Sequence, residues 1–158
     1  MKFLKKYSYI IRSFISLIAF LFLLFPFFRY EVLGQTLYEF EGIELIFGYE
    51  NLKETVLSFN IVGFVMFITL LASIVSPMFY SYSKKKGLFV EIGCLLITIA
   101  IYFLLPTTVS HVEEVNDNIF KTNNLFYIGA AALLISFALC VYEIIKIIKE
   151  KKTYEETN

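Results

Sequence analysis

Four stretches of the chain carry no charge and are long enough to cross a bilayer, while the polar segments between them are short. They run from Ser13 to Phe28, from Thr55 to Ser83, from Ile92 to Ser110 and from Thr122 to Tyr142. A spanning helix needs about 20 predominantly apolar residues. The pattern therefore predicts helices over about 10–29, 56–79, 88–106 and 123–148, with Pro106 closing the third because the residue before a proline is pushed out of the α region. Outer loops at 30–54 and 107–122 and an inner loop at 80–87 join them. Tyr30, Tyr80, Tyr82, Tyr127 and Tyr142 fall near these boundaries, where an amphipathic ring is at home.

Lysine and arginine set the direction. Eleven of the 14 lie in the two terminal segments and the 80–87 loop, and three lie in the two longer loops. Positive residues stay on the cytoplasmic side, so both termini are expected inside. A secretory signal peptide competes for the first segment, with Lys2, Lys5 and Lys6 as its basic region. Its apolar run is long for that purpose, and no small-x-small cleavage site follows Phe28. The acids show the reverse trend: Glu31, Glu39, Glu41, Glu44, Glu50, Glu54, Glu113, Glu114 and Asp117 all fall in the outer loops. Such a surface suits the gathering of cations or a basic partner.

Within the first outer loop, Leu37 to Glu41 and Ile43 to Phe47 alternate between apolar and acidic residues around Glu41-Gly42. This alternation predicts a small extracellular β-hairpin. A two-stranded hairpin is marginal alone in water, so its apolar face of Ile43, Leu45 and Phe47 should rest on its own bundle or on a partner.

Composition agrees with a membrane protein. The chain is 58% hydrophobic and 18% charged, against about 45–50% and about 25% for soluble domains. The expected fold is an all-α four-transmembrane-helix bundle, N-in and C-in, occupying residues 1–158 as one membrane domain. The formal net charge is zero, which offers no electrostatic basis for binding nucleic acid. Cys94 and Cys140 both lie within apolar segments and read as packed thiols.

With four spans, the larger outer loop between the first two, and Gly42, Leu45 and Gly48 forming a Gly-x-x-Leu-x-x-Gly patch in it, the chain resembles small uncharacterised four-span bacterial membrane proteins. It is also similar in topology to the claudin-like tetraspan architecture. The loop lacks the tryptophan and cysteine pair of claudins. The resemblance implies a scaffold-like or accessory role and carries over no site.

Ala132, Ser136 and Cys140 recur at spacing four on the fourth segment, and Ala72 and Ser76 on the second. Small residues let helices approach closely in lipid, so these are candidate packing stripes. On the third segment, Glu91, Cys94, Thr98 and Tyr102 fall within about 80° of one another at 100° per residue. They form a polar stripe that either lines a proton or ion path or faces the other helices. Glu91 sits only five residues after Lys86, where a carboxylate favours a helix N-terminus; Lys146 is its expected cross-helix partner. Glu91, Cys94, Cys140 and Glu143 are also metal-ligand types that antiparallel packing would bring together, and His111 precedes Glu113, Glu114 and Asp117, but neither spacing defines a metal site. Asn60 is placed to hydrogen-bond across the bundle.

Enzyme motifs are missing, with one histidine in the chain and no nucleophile–base pairing. The expected function is therefore an accessory or scaffolding subunit of a bacterial membrane complex, without catalytic activity or cofactor. Its partners are the lipid bilayer and either another membrane protein or further copies of itself. The alternative is a small homo-oligomeric ion channel or transporter, using the outer acids and the helix-three stripe. A lipid-interacting stress protein is a third reading, because Lys84, Lys85 and Lys86 attract anionic headgroups.

Overall fold

The computed structural model describes residues 2–32, 35–51, 54–77, 84–112 and 120–156. In chain order it contains α1 (Lys2–Phe22), β1 (Pro26–Val32), β2 (Gln35–Glu41), α2 (Glu44–Phe47), β3 (Tyr49–Asn51), β4 (Glu54–Leu57), α3 (Ile61–Val75), α4 (Lys84–Val112), β5 (Phe120–Thr122) and α5 (Asn124–Glu156). The protein is mostly helical, but it is not all-α.

Four helices form a ring in which α1 packs on α3 and α5, and α4 packs on the same two. Neighbours run antiparallel, as shown by the contacts Phe20–Phe67 between α1 and α3, Ser16–Ser136 between α1 and α5, and Thr69–Thr98 between α3 and α4. Each helix turns one stripe inward at helical spacing. On α4 the buried positions are Leu88, Glu91, Leu95, Thr98, Tyr102, Leu105 and Val109, alternating at three and four residues. The opposite faces remain apolar: Phe14, Leu17, Leu21, Val65, Ile68, Phe103, Leu104, Ile128 and Ile135 are all exposed. Water tolerates such a continuous apolar exterior poorly, whereas lipid does not penalise it.

Two helices are long and apolar enough to cross a membrane, α4 over Lys86–Val109 and α5 over Asn124–Lys149. At about 1.5 Å per residue these stretches reach about 36 and 39 Å, beyond the hydrocarbon thickness of about 30 Å. The apolar parts of α1 (Ser8–Phe22) and α3 (Ile61–Val75) are shorter.

A sheet of order β2-β1-β5, antiparallel throughout, covers one end of the ring. Its inner side chains belong to the core: Phe27, Phe28 and Phe40 are buried, and Phe27 meets Tyr102 and Phe126 edge-on at 5.7 and 5.9 Å. Exposed pairs from Arg29 to Glu39 and from Lys121 to Glu31 join β1 to its two neighbours. Surface pairs of this kind contribute about 0–1 kcal/mol, so the sheet is held by its aromatic underside.

The expected hairpin is corrected by this arrangement. β2 is a strand, but it pairs with β1, and residues 44–47 form the single helical turn α2. Leu45 and Ile46 are adjacent and both buried; a strand would send them to opposite faces, whereas a helical turn buries both. Glu44 fixes the turn by accepting a hydrogen bond from the Glu41 amide at 2.8 Å. A second two-stranded sheet, β3 with β4, follows.

Helix limits also differ from expectation. The first helix ends at Phe22, where Leu23, Leu24 and Phe25 bond back to Phe20, Leu21 and Phe22 in tight turns, and Pro26, which has no N–H, opens β1 instead. β4 takes residues assigned to the second helix, which starts only after Asn60 accepts hydrogen bonds from the Val62 and Gly63 amides. Conversely, α4 runs through Pro106, where the Thr107 and Thr108 hydroxyls donate to the carbonyls of Leu104 and Leu105. The fourth helix extends to Glu156.

Candidate functional site

The most unusual chemistry lies inside the ring at the end away from the sheets. Ser8, Arg12 and Ser16 recur at spacing four along α1, so they share one face, and Arg12 and Ser16 are buried. Facing them are Glu91 on α4 and Ser136, Cys140 and Glu143 on α5, all buried.

Arg12 is the hub. Its Nε donates to Glu91 Oε1 at 2.9 Å, one Nη donates to Glu143 Oε2, and the same Nη reaches Ser8 Oγ at 3.4 Å. Ser8 in turn donates to Glu143 Oε1. The Arg12 and Glu91 side chains are 1% and 0% exposed, and that of Glu143 is 9% exposed. The Cys140 thiol lies against the Glu91 carboxylate. It is a weak donor to that carboxylate, and Glu91 Oε2 meets no other donor among the described residues. Two carboxylates thus share one guanidinium in an apolar interior. Such groups persist only when paired.

The next layer toward the sheets is uncharged. Ser16 and Ser136 hydroxyls hydrogen-bond at 2.9 Å, and Thr69 and Thr98 hydroxyls do the same. Thr98 also donates to the Cys94 carbonyl, and Ser13 donates to the Ile74 carbonyl. At the sheet end, Tyr102 donates to the Phe126 carbonyl at 2.9 Å, and Asn60 Nδ2 donates to Thr108 Oγ1 at 3.1 Å.

The anticipated residues sort themselves accordingly. Glu91, Thr98 and Tyr102 lie on the inward stripe of α4, with Cys94 half-buried at its flank. Ser136 and Cys140 face inward from α5, whereas Ala132 is half-buried beside the core. Of the proposed partner face, Leu45 is buried, Ile43 is half-buried, and Phe47 is exposed but rests its ring on Phe64 and Phe67 of α3. Glu91 pairs with Arg12 instead of Lys146. Arg12 also stands where a metal between Glu91 and Glu143 would stand, and no group of three or more ligating side chains occurs among the described residues. The side chain of His111, and Glu113, Glu114 and Asp117, lie outside the described residues.

Arg12 was missed because it borders the first charge-free segment and reads as a headgroup anchor. The signal that marks it is the Ser8-x-x-x-Arg12-x-x-x-Ser16 row, a polar stripe that runs into the apolar part of α1. The chain matches no protein-family model, no curated protein and no solved structure.

Proposed function

We propose that the chain is a multi-pass membrane protein in which all four ring helices span, with both termini cytoplasmic, and that it serves as a non-catalytic accessory or scaffolding subunit of a larger membrane complex. The observation that carries this reading is where the polar groups go. The interior polar side chains at Arg12, Ser16, Thr98, Tyr102, Ser136 and Glu143 are bonded from helix to helix. They hold the ring together and leave an apolar outer face and a sheet-covered end as the surfaces offered to neighbours. α3, at 15 residues, covers about 22 Å, and bilayers thin locally around short helices at modest cost. Basic residues at the end away from the sheets support the orientation.

Mild-detergent extraction of tagged protein from native membranes, followed by native mass spectrometry, tests the assignment. A stoichiometric complex with a larger membrane protein is expected; a chain that emerges free of any foreign subunit would remove it.

A homo-oligomeric ion channel or transporter is the second reading, favoured by the charged cluster inside the ring. Since Thr98 and Tyr102 are occupied in helix contacts, the conducting path in this case would run between copies. Reconstituted vesicles should then show flux that Glu91→Gln abolishes, and unchanged flux would remove Glu91 from the path.

A further inference from the structure

The interior of the ring changes character along its axis. Toward the sheets, each helix turns an apolar side chain inward: Ala19, Met66, Leu105 and Leu133 are all buried. In the other half every helix contributes a buried polar group: Arg12 and Ser16 from α1, Ser73 from α3, Glu91 from α4, and Ser136 and Glu143 from α5. Leu88 and Leu95, both on α4, are also buried there.

Most of these polar groups bond from helix to helix, but two serines do not. Ser73 Oγ donates to the Leu70 carbonyl at 2.7 Å, and Ser76 Oγ donates to the Ser73 carbonyl at 3.4 Å, both within the same stretch of chain. Bonds to the preceding turn tie no helix to another and leave each oxygen able to accept. Helix packing in lipid calls for small residues, and alanine would pack as closely, so packing does not account for these hydroxyls. A third oxygen stands at their level. α3 and α4 run antiparallel through the Thr69–Thr98 contact, so stepping from 69 to 76 and from 98 to 91 brings Ser76 and Glu91 to one height. The Glu91 side chain is 0% exposed, and its Oε2 meets no donor except the weak Cys140 thiol among the described residues. Polar interiors of this kind take up water, whereas empty ones are apolar.

We propose that this half of the ring is a blind vestibule for water and small polar solutes, entered from the end away from the sheets and closed in this structure by the Arg12–Glu91–Glu143 network. The closure lies at the mouth, since Arg12 and Glu143 stand between the Ser16–Ser136 contact and that end. Opening exchanges their bonds across the ring for bonds to water. The floor is the stack of Tyr102 on Phe126, with ring centroids 4.6 Å apart and Phe27 edge-on to both. A solute that enters therefore does not pass to the sheet end. This inference stands whether or not the chain is an accessory subunit.

The test is cysteine accessibility of the full-length protein in lipid nanodiscs, in a Cys94→Ala/Cys140→Ala background, with a small water-soluble methanethiosulfonate as the probe. Ser73→Cys on α3 and Ser136→Cys on α5 are nearly isosteric and report the vestibule. Met66→Cys and Leu133→Cys, on the same two helices, report the sheet-side half. Each vestibule position should react at least about tenfold faster than its control, which corresponds to about 1.4 kcal/mol in opening free energy. Adding Glu143→Gln, which loosens the closure while keeping Arg12, should speed both vestibule positions further and leave the controls as slow as before. Equal rates in the two halves overturn the proposal, because the polar groups are then sealed or the whole ring breathes. Reaction at Ser73→Cys alone also overturns it, since fraying of the α3 terminus would produce that result. Vestibule rates that ignore Glu143→Gln remove the network as the closure. Should Met66→Cys or Leu133→Cys fail to fold in a thermal melt, Ala19→Cys serves as the sheet-side control.

Discussion

Arg12 Nε lies 2.9 Å from Glu91 Oε1 although α1 and α4 face each other across the ring instead of packing side by side. The contact passes through the middle of the bundle, and Glu143 of α5 joins it from a third helix. Three of the four helices therefore meet at one guanidinium. Replacing Arg12 with methionine keeps much of its bulk but leaves two buried acids without a cation. Breaking a buried ion network by removing one partner costs about 3–5 kcal/mol, so thermal unfolding in detergent should show a large loss. Because fully apolar or neutral replacements of such networks are often tolerated, the triple variant Arg12→Met/Glu91→Gln/Glu143→Gln should recover most of it. A single Arg12→Met variant as stable as wild type would deny the network any structural role.

Asn60 serves both ends of a junction. Its Oδ1 accepts from the Val62 and Gly63 amides, and its Nδ2 donates to Thr108 on α4. Asn60→Ala should destabilise by about 0.5–2 kcal/mol, the range for lost N-caps. Hydrogen exchange should accelerate first at the amides of Val62 and Gly63, and protection unchanged there would contradict the capping role.

Tyr102 and Gly129 form a steric pair. A Cβ on Gly129 would stand 2.3 Å from Tyr102 Oη, the same oxygen that donates to the Phe126 carbonyl. Gly129→Ala should cost about 1–3 kcal/mol through overpacking, and Tyr102→Phe about 0.5–1.5 kcal/mol through the lost hydrogen bond. Neighbouring sites couple, so Gly129→Ala should cost less in the Tyr102→Phe background. Strict additivity in the double-mutant cycle would mean that α4 and α5 move apart freely at this point.

Gly48 carries φ +89° at the end of α2, and a Cβ there would meet the Leu57 carbonyl oxygen at 2.7 Å. Backbone in this region is essentially restricted to glycine and costs about 1–3 kcal/mol elsewhere. Gly48→Ala should therefore lower the melting midpoint, whereas Gly93→Ala, where an added Cβ meets nothing within 4 Å, should leave it unchanged or raise it.

Orientation is open to direct chemistry. In a Cys94→Ala/Cys140→Ala background, a membrane-impermeant maleimide should label Tyr38→Cys on intact cells, since Tyr38 is exposed on β2. Lys152→Cys should react only after permeabilisation. Labelling of both from outside would place the C-terminus on the sheet side and remove the four-span topology.

The positions of the four helices were legible because charge-free runs leave few alternatives in a chain this apolar. The boundaries were less so. Between Phe22 and Pro26 the residues stay apolar while the backbone changes from helix to strand, and hydropathy is blind to that change. Leu45 and Phe47 showed an alternation that a strand or a short helical turn could equally produce, and the decision fell to the buried Leu45–Ile46 pair. At the candidate site, Glu91, Thr98, Tyr102, Ser136 and Cys140 were visible as stripes, since helical periodicity is a local property.

By itself, then, the amino-acid sequence determined the apolar segments, the uneven placement of lysine and arginine between them and the polar residues within each helix, because these depend on residues near one another in the chain. Tertiary structure alone decided that Arg12 reaches Glu91 and Glu143, 79 and 131 residues away. It also decided that Phe27, Phe28 and Phe40 build a sheet into the bundle's end. Which helix faces which, and across what distance, is set by the closure of the ring, and no local pattern of residues encodes it.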